Sequence, residues 1–158
     1  MIYTIERDGY KFKELDLEVS DFIDVFPEGI DYVSAQEFCE NNISLASSWK
    51  LLKTEFSDIE GHENLVPDIC TWIDASLLLS PKAKRLLGDL LTEYGEFLPI
   101  MIGDQQYEIF NCLTLKDTKD ASDLIFKSAD SNCAYLFCQQ RLKDLVEDFD
   151  LQGVIFTS

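Results

Sequence analysis

Residues 80–115 read SPKAKRLLGDLLTEYGEFLPIMIGDQQYEIFNCLTL and contain the clearest helix of the chain, followed by two candidate strands. Ser80 is a suitable N-cap, and Pro81 fits the first turn because the N–H that Pro lacks would be unpaired there anyway. Gly95 is expected to end the helix. EFLPIMI and QYEIFNCLTL, separated by Gly103-Asp104, predict strands. One apolar stripe repeats at helical spacing and comprises Ala83, Leu86, Leu87, Leu90, Leu91 and Tyr94.

Further candidate elements lie on both sides of this unit. IYTI (2–5) and YKF (10–12) flank the turn signal Asp8-Gly9, which favours a hairpin. WKLLKTEF precedes the unit, whereas DLIFK, AYLFC and VIF follow it as strands, with a second amphipathic helix before VIF. The pattern predicts an α+β fold: a mostly antiparallel sheet with a few amphipathic helices packed on it. A chain of 158 residues is expected to form a single domain over 1–158.

The segment before residue 50 predicts only short elements. LDLEV (15–19) alternates apolar and acidic residues, which is typical of a strand with one buried face. SDFIDVF (20–26) indicates a short helical turn. Ser34 and Glu37 have the spacing of a capping box, which predicts a helix over about 35–42.

Charge limits the classes of partner. The formal net charge is −17 and the sequence pI is about 4.2. Nucleic-acid backbones and anionic membranes would repel such a surface, so we expect neither as a partner, whereas a basic protein is favoured. No apolar run approaches the roughly 20 residues that span a bilayer. The start of the sequence shows no secretion signal, and the cysteine number is odd, so we expect reduced thiols and a cytoplasmic location.

The acidic segment, defined here as residues 14–40, is the centre of this asymmetry. It contains nine Asp and Glu residues and no Lys or Arg, yet apolar residues run through it as in a folded segment. One interpretation is a solvated face over an ordinary core. The other is a surface for a basic partner, because unrelieved like charges repel and a surface built only for solubility mixes signs. The second interpretation assigns partner binding to Asp16, Glu18, Asp21, Phe22, Asp24, Phe26, Glu28, Asp31, Tyr32, Glu37 and Glu40, with the three aromatic residues as apolar anchors.

Motifs for catalysis or cofactors are scarce. The sequence contains no phosphate-binding Gly loop, no GxSxG motif and no CxxC pair. His62 lies in a polar loop and is interpreted as solvated. Cys133 and Cys138 have a spacing compatible with zinc, but no second pair completes four ligands. We therefore expect no catalytic residue, no metal and no cofactor.

The two tryptophans allow two interpretations. Trp49 and Trp72 fit core packing, but Trp is also enriched at interface hot spots. Asp68 and Asp74 flank Trp72 in the sequence and would form the rim of such an interface.

Residues 67–156 carry a further series of motifs. Asp68-Ile69 is followed by LLLSPKAKRLL, EFLP, FNCL and a closing LQGVIF. In this order they resemble the immunity protein eleven family of bacterial polymorphic toxin systems. The resemblance divides the chain into an acidic, variable part (1–65) and a family-like part (66–158). The resemblance implies that the protein performs no catalysis. It also implies that the protein is made beside a toxin used in interbacterial competition, and that this toxin is, for example, a type VI secretion effector. Such a protein binds the cognate toxin domain and blocks its active site or substrate groove.

Three functions therefore remain open. The first is an immunity protein that binds a toxin domain with a basic surface. The second is an acidic adaptor or nucleic-acid mimic that binds many basic proteins without being a dedicated antitoxin. The third is an enzyme that uses carboxylates or Cys138, which predicts a pocket containing an acid with a strongly perturbed pKa.

Overall fold

The computed structural model describes residues 1–118 and 121–158, and its strands occur mostly in runs separated by single helices. The strands are β1 (Ile2–Arg7), β2 (Glu14–Leu15), β3 (Leu52–Thr54), β4 (Phe56–Ser57), β5 (Ile69–Thr71), β6 (Ser76–Leu79), β7 (Gly95–Ile102), β8 (Gln105–Cys112), β9 (Ile125–Phe126), β10 (Leu136–Gln139) and β11 (Val154–Thr157). The α-helices are α1 (Tyr32–Gln36), α2 (Pro81–Leu91) and α3 (Gln140–Asp148), and 3₁₀ turns cover Val19–Asp21, Ile23–Val25, Thr92–Tyr94 and Ala129–Ser131. Mostly antiparallel sheets with a few helices confirm the predicted α+β fold.

Helix α2 and strands β7 and β8 form where the sequence predicts a helix and two strands. The Ser80 hydroxyl accepts a hydrogen bond from Ala83 N at 3.1 Å, and Pro81 occupies the first helical position. Strands β7 and β8 pair along their whole lengths. Gly95 begins β7 instead of capping α2, because a 3₁₀ turn intervenes. A Cβ at Gly95 would lie 2.3 Å from the carbonyl oxygen of Asn111, so glycine permits the close approach of the two strands.

The larger sheet has the order β3-β7-β8-β6-β5. Its pairs are antiparallel except β3–β7, which is parallel. Strand β6 is completely buried, and α2 packs against β6 and β8 with one side of the helix. The buried residues of that side include Ala83, Leu87 and Leu91, which belong to the predicted stripe.

The second sheet has the order β11-β1-β10-β9 and is antiparallel throughout. Helix α3 packs on β10 and β1 and buries Leu142 and Val146. The two sheets meet where the backbone N–H groups of Asp68 and Ile69 both donate to the carbonyl oxygen of Gln152. Buried side chains from both 1–65 and 66–158 belong to one hydrophobic cluster.

The hairpin predicted around Asp8-Gly9 is wrong. Strand β1 pairs instead with β10 and β11, so both of its edges are occupied by distant segments. Phe12 forms an isolated bridge with Leu65, and Asp8 N donates to the carbonyl oxygen of Gly153. Long-range pairing that buries Ile5 outweighs the local turn signal.

The helix predicted over 35–42 begins and ends earlier. The N-cap is Asp31, whose carboxylate accepts from Ser34 N at 2.8 Å, so the helix covers Tyr32–Gln36. Asp31 therefore takes the cap position in place of Ser34, and Phe38 lies beyond the helix in the core. Of LDLEV, only Leu15 lies in a strand, β2, although the predicted alternation of buried and exposed residues continues to Val19.

Candidate interaction surface

All nine carboxylates of the acidic segment are exposed, while the apolar residues between them are buried or partly buried, except Tyr32 and Val33, which are exposed. Six of the nine acids directly precede or follow a buried residue in the sequence. The exposed acids are Glu14, Asp16, Glu18, Asp21, Asp24, Glu28, Asp31, Glu37 and Glu40. The solvated face and the core therefore come from the same stretch of chain.

Few of these acids are neutralised. Glu14 pairs with Arg7, and it is the only one of the nine with an ion pair in the described residues. Asp21 accepts a hydrogen bond from Glu18 N at 2.8 Å, and Asp31 caps α1. These two carboxylates have structural roles in holding local turns. The remaining acids leave a strongly negative, unrelieved surface.

Two of the predicted apolar anchors are core residues. Phe22 is 1% exposed and Phe26 is 7% exposed, so neither side chain can contact a partner. Phe22 packs against Phe26 and against both tryptophans, with ring centroids 5.5–5.7 Å apart. The aromatic spacing that suggested anchors reflects this cluster. Tyr32, by contrast, is 52% exposed and remains available.

Both tryptophans tie the acidic segment to the larger sheet. Trp72 Nε1 donates to the carbonyl oxygen of Leu17 at 3.0 Å, and Trp49 Nε1 donates to that of Pro99 at 2.8 Å. Each indole therefore has a hydrogen-bond partner and packs against Phe22. This arrangement supports core packing for Trp49 and Trp72.

Glu96 fastens the loop that follows the acidic segment. Its carboxylate accepts from Ser44 Oγ and Leu45 N, each at 2.6 Å, from Ala46 N at 3.3 Å and from Asn111 Nδ2 at 3.0 Å. Glu96 and Asn111 are direct partners in the β7–β8 register. The loop that leaves the acidic segment is thereby fixed to the centre of the larger sheet.

Lys127 is the buried cation that the sequence reasoning missed. Its side chain is completely buried, and Nζ donates to the carbonyl oxygen of Cys39 at 2.6 Å. Burying an ammonium group is costly, so such a residue is rare. Its one sequence signal is a Lys directly after the buried Ile125-Phe126 strand. Lys127 holds the end of the acidic segment against the C-terminal half.

The polar residues of the family-like motifs have structural roles. The Asp68 carboxylate accepts from Gln152 N at 3.0 Å, Ser80 caps α2, and Glu96 and Asn111 pair across strands. Gly153 lies at φ +130°, and a Cβ there would lie 2.0 Å from the carbonyl oxygen of Ile69. The motifs therefore describe how this fold is joined, and Asp68 is part of that joint.

The cysteines are poor nucleophiles. All five thiols are buried and unpaired. Burial raises the pKa of Cys138, Cys39 and Cys70 to about 12 and that of Cys112 to about 11, and it raises the pKa of Cys133. Thiolates are therefore rare at neutral pH, and this disfavours a nucleophilic Cys138.

Among the described acids, Asp74 has a raised pKa. Desolvation, and then the nearby carboxylate of Glu40, raise its pKa. Asp74 lines a groove of about 220 Å³ with Trp72, Arg7 and Tyr135. The ring of His62 packs against Tyr10, and His62 does not line this groove. Nothing in the groove provides an activated nucleophile.

The described ranges, 1–118 and 121–158, contain no group of three or more His, Cys, Asp or Glu side chains arranged to hold a metal ion. Within the same ranges, no helix is both long and apolar enough to cross a bilayer.

The class that the fold and surface define is an α+β protein with an acidic segment clamped onto two sheets. No protein-family model matches the chain, and no curated protein matches it either. The resemblance to immunity proteins therefore stays a prediction that rests on the motifs of residues 67–156.

Proposed function

We propose that this protein is an immunity protein of a bacterial toxin system. It binds the basic surface of a cognate toxin domain through the acidic segment and occludes the toxin's active site or substrate groove. It acts in the cytoplasm and performs no catalysis. The observation that carries the proposal is the set of nine exposed carboxylates on an ordered, anchored segment, with one ion pair among them in the described residues.

The acidic segment is an ordered part of the fold. A disordered acidic tail would lose conformational entropy on binding, whereas a segment held by Trp72, Glu96 and Lys127 presents its charges in a fixed arrangement. Opposite charges accelerate encounter towards about 10⁸ M⁻¹s⁻¹ at low salt, and salt screens this effect. A preorganised acidic surface therefore suits fast capture of a toxin.

The first experiment identifies the partner. The tagged protein is recovered from its native cells and washed at low and then high salt. We expect one stoichiometric partner that survives high salt, stops growth when expressed alone and is neutralised when this protein is co-expressed. If co-expression does not restore growth, the immunity function is refuted.

The second experiment locates the interface. One variant replaces four exposed acids of the acidic segment by Lys: Asp16, Asp24, Glu28 and Glu37. The matched control replaces four exposed acids elsewhere: Glu93, Asp104, Asp130 and Asp148. Both variants have the same formal net charge. We expect only the first to lose neutralisation, while both retain the circular dichroism spectrum of the parent.

The general mimic is the other candidate supported by the charge. A mimic depends on net charge, so the two four-residue variants would weaken binding equally, and many basic proteins would be recovered and lost together at high salt. Equal weakening would refute a dedicated interface on the acidic segment.

A further inference from the structure

A groove of about 240 Å³ opens within the acidic segment, between the first 3₁₀ turn and α1. Leu17, Val19 and Ile73 provide apolar walls, and the exposed ring of Tyr32 stands beside them. Leu17 and Val19 are buried, so the groove reaches the core and does not depend on a mobile side chain. It offers a partner both an aliphatic lining and an aromatic ring.

The polar groups of this groove are acceptors. Gln36 Nε2 donates to the Tyr32 hydroxyl, which leaves the Gln36 side-chain oxygen as an acceptor. Glu18, which forms a capping box with Asp21, also lines the groove, and its exposed carboxylate has room for further donors. Among the described residues, none that lines the groove is a Lys or Arg. The site therefore combines negative charge with unfilled acceptor capacity.

The neighbouring groove makes a useful comparison. It shares Leu17 with the first, has a volume of about 280 Å³, and is lined by Asp16, Asp21 and Lys53. That groove already contains a cation of the protein itself. The groove at Tyr32 is lined by one acid, Glu18, and by no Lys or Arg.

We propose that the groove at Tyr32 receives an arginine side chain of the partner. Its aliphatic stem would lie on Leu17 and Ile73, its planar guanidinium would stack on the Tyr32 ring, and its N–H groups would bond to Glu18 and Gln36. Arginine fits better than lysine because a guanidinium stacks on aromatic faces and offers five donors, whereas an ammonium is a strongly hydrated point charge. This inference rests on the proposed function and names the chemistry of the partner at one position.

The test compares two fluorescent probes of equal charge, hexa-arginine and hexa-lysine, by anisotropy at low salt. We expect the protein to bind hexa-arginine about fivefold or more tightly than hexa-lysine. The Tyr32→Ala variant should lose this preference and keep the charge-driven binding common to both peptides. Tyr32→Phe should keep the preference, and so should the control Tyr135→Ala, whose tyrosine is 51% exposed and lines another groove.

Methyl NMR locates the site independently. Hexa-arginine should shift the resonances of Ile73 and Val19 and leave Ile155, an exposed residue of β11, unchanged. Equal affinity for the two peptides, or an unchanged preference in Tyr32→Ala, would overturn the arginine site and leave the immunity function intact. Failure of both peptides to bind at low salt would also overturn the arginine site, whereas the immunity function is decided separately by the co-expression experiment.

Discussion

Truncation of Glu96 tests how the acidic segment is held in place. Glu96→Ala removes a carboxylate that accepts hydrogen bonds from Ser44, Leu45 and Ala46 in the following loop and from Asn111 on β8. Asn111 is completely buried, and its Oδ1 has no hydrogen-bond partner in the described structure. The substitution leaves the backbone N–H groups of Leu45 and Ala46, the Ser44 hydroxyl and one N–H of the buried Asn111 amide without this acceptor.

The magnitude follows from these contacts. A hydrogen bond to a charged group contributes about 1.5–3 kcal/mol, and an unsatisfied buried donor costs about 1–3 kcal/mol. Glu96 is half-buried, so water replaces part of what is lost, and Asn111 Nδ2 keeps the carbonyl oxygen of Ile43 at 3.0 Å. We expect Glu96→Ala to lower the free energy of unfolding by about 3–4 kcal/mol, a large fraction of the roughly 5–15 kcal/mol typical of a domain.

Urea unfolding followed by the fluorescence of Trp49 and Trp72 measures this change. The control is Glu93→Ala, an exposed acid three residues earlier, which should change the free energy by less than about 0.5 kcal/mol. A double-mutant cycle with Asn111→Ala should give a coupling of at least about 1 kcal/mol. If Glu96→Ala costs no more than Glu93→Ala, the clamp does not stabilise the fold and the reasoning fails.

Three further outcomes are expected. Lys127→Met should change the free energy of unfolding by less than about 1 kcal/mol, because the gain from removing a buried ammonium group offsets the lost hydrogen bond. Lys127→Ala should cost about 3 kcal/mol because it leaves a cavity. Denaturant titration measures both values, and equal costs would contradict this account. Gly153→Ala should lower the free energy of unfolding by more than about 2 kcal/mol, because the added Cβ would clash with the carbonyl oxygen of Ile69. Gly103→Ala, at φ +61° with no atom near the added Cβ, should lower it by about 1 kcal/mol. Similar shifts in melting temperature for the two variants would contradict the steric explanation. Asp74→Asn should raise the free energy of unfolding at pH 7 by less than about 1 kcal/mol, because the raised pKa of the Asp74 carboxyl means that its ionisation destabilises the folded state. The gain should vanish as the pH falls below the carboxyl pKa of the unfolded chain, and a gain that persists at low pH in urea titrations would exclude this cause.

Elements with strong local signals are those that the sequence predicts well. Ser80, Pro81 and the leucine stripe determine α2 because each signal acts within a few residues. Strands β7 and β8 are predicted for the same reason, because their residue patterns and the Gly103-Asp104 turn signal are local, whereas the structure supplies their pairing. The nine exposed acids are also predictable, because a carboxylate without a partner stays in water.

Long-range contacts decide the remainder. The pairing of β1 with β10 and β11 joins residues from the two ends of the chain, and no local pattern encodes it. Phe22, Phe26 and Tyr32 are all aromatic residues that lie between acids of the acidic segment. The two phenylalanines nevertheless pack in an aromatic cluster, whereas Tyr32 is exposed. Which aromatic residues can meet a partner depends on what packs against them.

The sequence by itself therefore determined the α+β class, the main helix and the two strands that follow it, and the negative charge of residues 14–40. Only the tertiary structure decided how that segment is held, through Glu96, Lys127 and Trp72, and where a groove opens beside Tyr32. The physical reason is the sequence separation of the residues that interact. Capping, turns and solvation of charge are local, whereas burial of a lysine or of a phenylalanine depends on residues that the chain brings together from distant positions.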